Sequence, residues 1–130
     1  MRILIADDEE MNREILSELI GFYGECVTVT DGEEAVNEYN TSLNRKMPYD
    51  LICLDIMMPK LDGQGALKVI RMIEQKRDIK AVKVIMTTAV SDRQNVLKAI
   101  AEGKADYYLI KPIQETVLQT ALKEIGLVME

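Results

Sequence analysis

Residues 50–63 read DLICLDIMMPKLDG. Leu51, Ile52, Cys53 and Leu54 form an unbroken apolar run, the pattern of a strand covered on both faces. Asp55 follows where that strand would end. Pro59 and the pair Asp62-Gly63 then break regular structure before an amphipathic helix that sets Leu67, Ile70 and Ile73 on one face. A carboxylate thus stands on the lip of a buried strand, with a loop beside it. Open α/β sheets bind ligands just outside the carboxyl ends of their strands. Loop capping alone would also explain an aspartate here, so the rest of the chain has to decide.

Upstream, Arg2 to Ala6 (RILIA) reads as a first strand that runs into Asp7-Asp8-Glu9-Glu10. A helix follows, with Met11, Ile15, Leu16, Leu19 and Ile20 as its apolar positions. Glu9 and Glu10 suit the positive end of a helix. Asp7 and Asp8 precede the helical periodicity and belong to the strand end. Gly21 and Gly24 lead into a second strand, Cys26 to Thr30, and Thr30 or Asp31 can cap the next helix, which turns Ala35, Val36 and Tyr39 inward. Residues 40–49 read as a helix tail plus loop.

Downstream, the charged stretch Glu74 to Lys80 reads as a solvated loop. Ala81 to Thr88 is a fourth strand that finishes on hydroxyls. Asp92 opens a fourth helix, with Val96, Ala99 and Ile100 inward and Gly103 as its stop. Asp106 to Ile110 is a fifth strand ending on Lys111-Pro112. The last helix carries Val117, Leu118, Ala121, Leu122 and Ile125. Met1, Met11, Met72 and Met86 are expected to fill the core. Strand and helix alternate five times, which means βαβ units and a parallel sheet with helices on both sides.

Composition narrows the function. The 130 residues are enough for one domain with a real core, and 48% hydrophobic with 29% charged residues fits a globular chain. No apolar run approaches the roughly 18 residues of a membrane span, and no signal-peptide pattern is present. The two cysteines, Cys26 and Cys53, lack metal-ligand spacing and read as reduced core residues, so a cytoplasmic location is expected. A net charge of −6 argues against direct contact with nucleic acid or an anionic membrane. Histidine is absent, which removes the commonest general base and zinc ligand.

All strands of a parallel sheet end on one rim. That rim collects Asp7-Asp8, Asp55, Thr87-Thr88 and Lys111 from four separate segments. Carboxylates placed together repel, and a divalent cation relieves the repulsion. All-oxygen ligands suit Mg2+ better than zinc. Lysine and threonine can serve phosphoryl oxygens, and a carboxylate can act as a phosphoryl-accepting nucleophile.

With these motifs in place, the chain resembles the receiver domain of bacterial two-component response regulators. The matching residues are Asp7-Asp8 after the first strand, LDIMMPKLDG around Asp55, Thr88-Ala89 after VIM, and Lys111-Pro112 after DYYLI. The resemblance runs essentially end to end. It implies a flavodoxin-like, doubly wound α/β fold: a five-stranded parallel sheet in the order 2-1-3-4-5, with five helices. Residues 1–130 would form a single stand-alone receiver domain with no output domain.

It further implies that Asp55 accepts a phosphoryl group from a sensor histidine kinase. Asp8, Asp55 and the Met57 carbonyl would hold Mg2+, with Asp7 contributing directly or through water. Lys111 would contact the phosphoryl group, and its bond to Pro112 would be cis. Thr88 and Tyr108 would form a switch pair. Met57 and Val90 would flank the approach of hydrolytic water. The chain departs from the family pattern at Thr87, a position normally aliphatic, in its longer spacing from Asp55 to Thr88, and at Lys104, a one-residue insertion.

The reading is therefore a phosphorylation-controlled switch. It would signal through a downstream protein target, or pass phosphate to a histidine phosphotransfer protein, using the face of its fourth helix, fifth strand and fifth helix. It would not be an enzyme, although it would assist its own phosphorylation and dephosphorylation. A phosphorylation-independent interaction module on the same fold is the alternative, and the retention of Asp8, Asp55, Thr88 and Lys111 speaks against it. A phosphatase would need a general acid where Met57 stands. Three acids on the rim would repel a flavin's phosphate unless a metal intervened.

Overall fold

The computed structural model describes residues 1–89 and 93–129. Ten elements alternate: β1 (Arg2–Ala6), α1 (Glu10–Ile20), β2 (Glu25–Val29), α2 (Gly32–Asn44), β3 (Leu51–Asp55), α3 (Gly63–Arg77), β4 (Lys83–Thr88), α4 (Arg93–Glu102), β5 (Tyr107–Ile110) and α5 (Glu115–Glu124). The strands form one parallel sheet ordered β2-β1-β3-β4-β5. The order of elements is the one the sequence pattern predicts, and the strand order is the one the family resemblance implies.

Alternation along each strand splits the core into two layers. Ile52 and Leu54 of β3 pack with Leu4, Val84 and Met86 against Ala35 and Tyr39 of α2, Leu67 and Ile70 of α3 and Ala99 of α4. Leu51 and Cys53 face the other way, with Ile3, Ile5 and Ile85, against Leu16 and Ile20 of α1 and Leu118 and Leu122 of α5. Every residue of β3 is buried, as its continuous apolar run requires. Truncating one of these central side chains to alanine costs about 2–5 kcal/mol. The edge strands β2 and β5 are only partly covered.

Two helices show their start signals directly. Asp31 accepts from the Glu34 N–H at 2.8 Å, and Asp62 accepts from the Gly65 N–H at 2.7 Å. Gly103, at φ 66°, ends α4 in the left-handed region. Asp92, expected to cap that helix, lies outside the described residues.

The charged stretch after Ile73, expected as a solvated loop, is exposed from residue 75 on, but it is loop only over residues 78–80. Helix α3 continues to Arg77, and Glu74 is buried. Its carboxylate accepts from the Tyr39 hydroxyl at 2.7 Å, the Val82 N–H at 2.6 Å and Arg71 at 2.8 Å. Arg71 also donates to the carbonyls of Val82 and Lys104. A buried acid is tolerable here because every lone pair that matters has a donor.

The methionine expectation fails in part. Met86 is fully buried, but Met11 and Met72 are 70% and 54% exposed, and Met1 is exposed as well. Ile15, Ile100 and Val117, expected inward, are also exposed. The amphipathic stripes are wider than the surfaces that cover them. Cys53 is buried, and its thiol is pushed up to about 12 by that burial and by the neighbouring Cys26. Cys26 is only half-buried. No helix among the described residues is long and apolar enough to cross a membrane.

Candidate functional site

The sheet register builds the site. Strands β1 and β3 pair with Ala6 opposite Leu54, so Asp7 and Asp55 leave the two central strands at one level. Asp55 lies opposite Thr87 on β4, and Thr88 opposite Ile110 on β5, immediately before Lys111. The strand order reverses between β1 and β3, the switch point where ligands of open α/β sheets gather. The loop after β3 folds back tightly. Ile56 donates to the Thr87 carbonyl and accepts from the Gly63 N–H, both at 2.9 Å. Gly63 is required there, because a Cβ would stand 2.2 Å from the Asp55 carbonyl oxygen.

Asp7, Asp8 and Asp55 can each bring a carboxylate oxygen within 4.8 Å of the others. Asp7 and Asp55 are buried, and Asp8 is exposed. Lys111 reaches across from the end of β5, with its Nζ 2.8 Å from Asp7 Oδ2 and 3.0 Å from Asp55 Oδ2. The other Asp7 oxygen accepts from the Glu9 N–H at 2.9 Å. The Met57 N–H is 3.3 Å from Asp55 Oδ1.

Burial, then the Asp7 charge, pushes the Asp55 carboxyl up to about 6, against the opposing pull of Lys111 and the Met57 N–H. For Lys111, burial alone would lower the pKa. The hydrogen bond to Asp7 and the Asp55 charge outweigh it, and the ammonium is held above its usual value. One ammonium thus faces three acids, and the excess negative charge suits a divalent cation. The donors are all oxygen and one member is exposed, which fits a hard ion that retains some of its water, such as Mg2+. The Lys111-Pro112 bond is cis.

The two hydroxyls part company. Thr87 falls on the α1/α5 side of the sheet, beside a small cavity of about 50 Å³ that Asp7, Asn12, Lys111 and Pro112 also line. Thr88 points to the opposite side, as does Tyr108. Both are engaged locally: Thr88 Oγ1 donates to the Ala89 carbonyl at 3.2 Å, and the Tyr108 hydroxyl donates to the Ala99 carbonyl of α4 at 2.9 Å. Met57 is half exposed at the mouth of the site. Val90, expected to flank that mouth with it, lies outside the described residues.

Three neighbours escaped the sequence reading. Arg13 donates to the Asp7 carbonyl at 2.8 Å. Asn95 Nδ2 lies 3.3 Å from Met57 Sδ, and Gln64 Nε2 donates to the Asn95 carbonyl at 3.1 Å. For Arg13, the spacing of six from Asp7 across a helix start was a weak available signal. For the contacts of Asn95 there was none, since they depend on how α4 lies on the sheet.

The family model described as "Response regulator receiver domain" matches residues 3–123. A probable transcriptional regulator, ycf27, of Guillardia theta is 37% identical over 127 residues; the match covers 95% of this chain and 44% of that protein. The chain therefore spans under half the length of that relative. A response regulator receiver domain protein from Clostridium thermocellum superposes with a TM-score of 0.78 at 28% identity, covering 94% of this chain and 90% of that one. A CheX-CheY-BeF3-Mg complex from Borrelia burgdorferi also gives 0.78 at 28% identity, covering 96% and 88%. Fold, rim and family model agree: the chain belongs to the response regulator receiver domain family.

Proposed function

We propose that this receiver domain is a signalling switch thrown by phosphorylation of Asp55. The observation that carries the reading is the meeting of Asp7, Asp8, Asp55 and Lys111 on one rim, with acids in excess. Asp55 is the nucleophile: its carboxylate oxygen bonds to phosphorus as the P–N bond to a kinase imidazole breaks. Asp8, Asp55 and the Met57 carbonyl would hold Mg2+, with Asp7 assisting directly or through water, and the ion would supply charge neutralisation for the phosphoryl oxygens. Lys111 exchanges its contact with Asp55 for a phosphoryl oxygen. The Met57 N–H sits beside the nucleophile and helps to orient it.

Thr88 and Tyr108 form the switch pair, and their placement on one side of the sheet supports this. The output surface is the α4-β5-α5 face, where Leu97, Ile100, Ile110 and Val117 are all exposed. The partners are a sensor histidine kinase and either a downstream protein or a histidine phosphotransfer protein. The domain assists its own phosphorylation and dephosphorylation rather than turning over an independent substrate, and it works in the cytoplasm.

The test is incubation with a small-molecule phosphodonor and Mg2+, followed by intact mass. One added phosphoryl group is expected in the parent and none in Asp55→Asn. Labelling that persists in Asp55→Asn would reject Asp55 as the acceptor.

A further inference from the structure

Helix α4 buries the fewest side chains of the five helices among the described residues. Among its described residues only Ala99 is buried, whereas Leu97 and Ile100 face outward. Polar ties add to the packing of Ala99 and Val96. The Tyr108 hydroxyl grips the Ala99 carbonyl in the middle, and Arg71 grips the Lys104 carbonyl just beyond the far end. At the near end Val96 packs on the core, and the polar contacts of that end among the described residues run through Asn95. Its side-chain amide donates to the Met57 thioether, and its main-chain carbonyl accepts from Gln64.

Met57 makes this tie more than structural. Its main chain belongs to the loop that folds against Asp55, and its N–H lies beside the Asp55 carboxylate. Its side chain rests on α4. A ligand that draws the 55–57 main chain inward therefore pulls on Asn95, with no need for Thr88 to move first. The tie is also weak enough to break, because a thioether is a poor acceptor and a neutral hydrogen bond near solvent adds little net stability.

We propose that Asn95 is a positioning residue that latches α4 to Met57 and Gln64 in the resting state. Release of this latch is a second route, parallel to Thr88 and Tyr108, from the Asp55 site to the α4-β5-α5 face. The proposal rests on the functional reading above. A latch that must open before the 55–57 main chain can draw inward opposes the ligand-bound state, so breaking it favours that state, and by linkage the ligand then binds tighter.

The experiment compares the parent with Asn95→Ala, Met57→Leu and Gln64→Ala by hydrogen exchange along α4, with and without Mg2+ and beryllium fluoride. Ala at 95 cannot donate to sulfur and adds no charge beside the acids, Leu keeps bulk without the acceptor, and Ala at 64 keeps helix propensity. Without ligand, each variant should speed exchange at the first hydrogen-bonded amides of α4, from Leu97 onward, and leave α5 and the later turns of α3 unchanged. Each should also bind beryllium fluoride tighter by about 2- to 10-fold, the range set by one modest hydrogen bond. Unaltered exchange in all three variants overturns the latch. Faster exchange with unaltered affinity overturns its coupling to the site. If the parent itself binds no beryllium fluoride in Mg2+, the functional reading fails on that arm alone, while the ligand-free exchange still judges the latch.

Discussion

Lys111 and Asp55, 56 positions apart in the chain, meet through a 3.0 Å hydrogen bond from the ammonium to the carboxylate. The same ammonium holds Asp7 at 2.8 Å. Lys111 therefore supplies part of the positive charge that a cation would bring to these acids. Lys111→Met removes it and leaves two buried carboxylates facing each other. Mg2+ affinity should rise, by about tenfold for one unit charge removed at partly screened distance. Phosphorylation should slow nonetheless, because no ammonium remains for the phosphoryl oxygen. Calorimetric Mg2+ titration and phosphodonor labelling check the two halves; weaker Mg2+ binding in the variant would show that Lys111 organises the acids rather than competing with the ion.

The raised pKa of Asp55 gives a pH dependence with a definite sign. Burial and then the Asp7 charge push its carboxyl up to about 6 in the fold, above the value of about 3.9 in an unfolded chain. Between those values the native state holds more protons than the unfolded one, so falling pH stabilises the metal-free protein. This gain is absent above about pH 6 and complete below about pH 4, and amounts to roughly 1–3 kcal/mol. Asp55→Asn should abolish that slope and stabilise the protein at pH 7.5. Urea unfolding in a chelator from pH 7.5 to 4.5 measures it. A parent whose stability falls steadily over that range would contradict the assignment.

Away from the rim, Glu74 anchors the opposite side of the molecule. Glu74→Ala leaves the Tyr39 hydroxyl, the Val82 N–H and the Arg71 guanidinium without their shared acceptor. Removing one partner from such a buried pair costs about 3–5 kcal/mol, a large part of the roughly 5–15 kcal/mol that holds a domain together. The unfolding midpoint should fall sharply. Phosphodonor labelling of the folded fraction should remain, because no atom of this network touches Asp55. A shift under about 1 kcal/mol would mean that water replaces the carboxylate.

Glu74 also marks where the sequence misleads. Its spacing from Leu67 and Ile70 places it on the buried stripe of α3, so the helical period was present. The run of charges around it hid that period, since a lone buried acid is rare without partners that sequence does not reveal. The rim was legible for the opposite reason. In a parallel sheet every strand end falls on one edge, so finding the strands was enough to gather Asp7, Asp55 and Lys111. The exposure of Met11 and Ile15 was not legible, because an apolar stripe records which residues could be covered and not which surface arrives to cover them.

Adjacent Thr87 and Thr88 supply the last test, since one residue of register decides which can act. Thr87 stands opposite Asp55 in the ladder and borders the small cavity beside Lys111. Thr88 faces the side occupied by Met86, Ala99 and Tyr108. It is buried there, with its hydroxyl on the Ala89 carbonyl, one bond rotation from a new partner. If Thr88 is the hydroxyl that turns onto the phosphoryl oxygen, its loss breaks the push on Tyr108, and Tyr108 holds α4. In the parent, beryllium fluoride with Mg2+ should shift exchange at Ala99 and its neighbours by a factor within the 5- to 150-fold range usual for coupled sites. Thr88→Ala should cut that response to about threefold or less while beryllium fluoride still binds, because the latch at Asn95 remains. Thr87→Val should keep the full response, because its side chain lies on the wrong side of the sheet to reach Tyr108. A response lost in Thr87→Val and retained in Thr88→Ala would move the switch to the α1/α5 side and reject the role given to Tyr108.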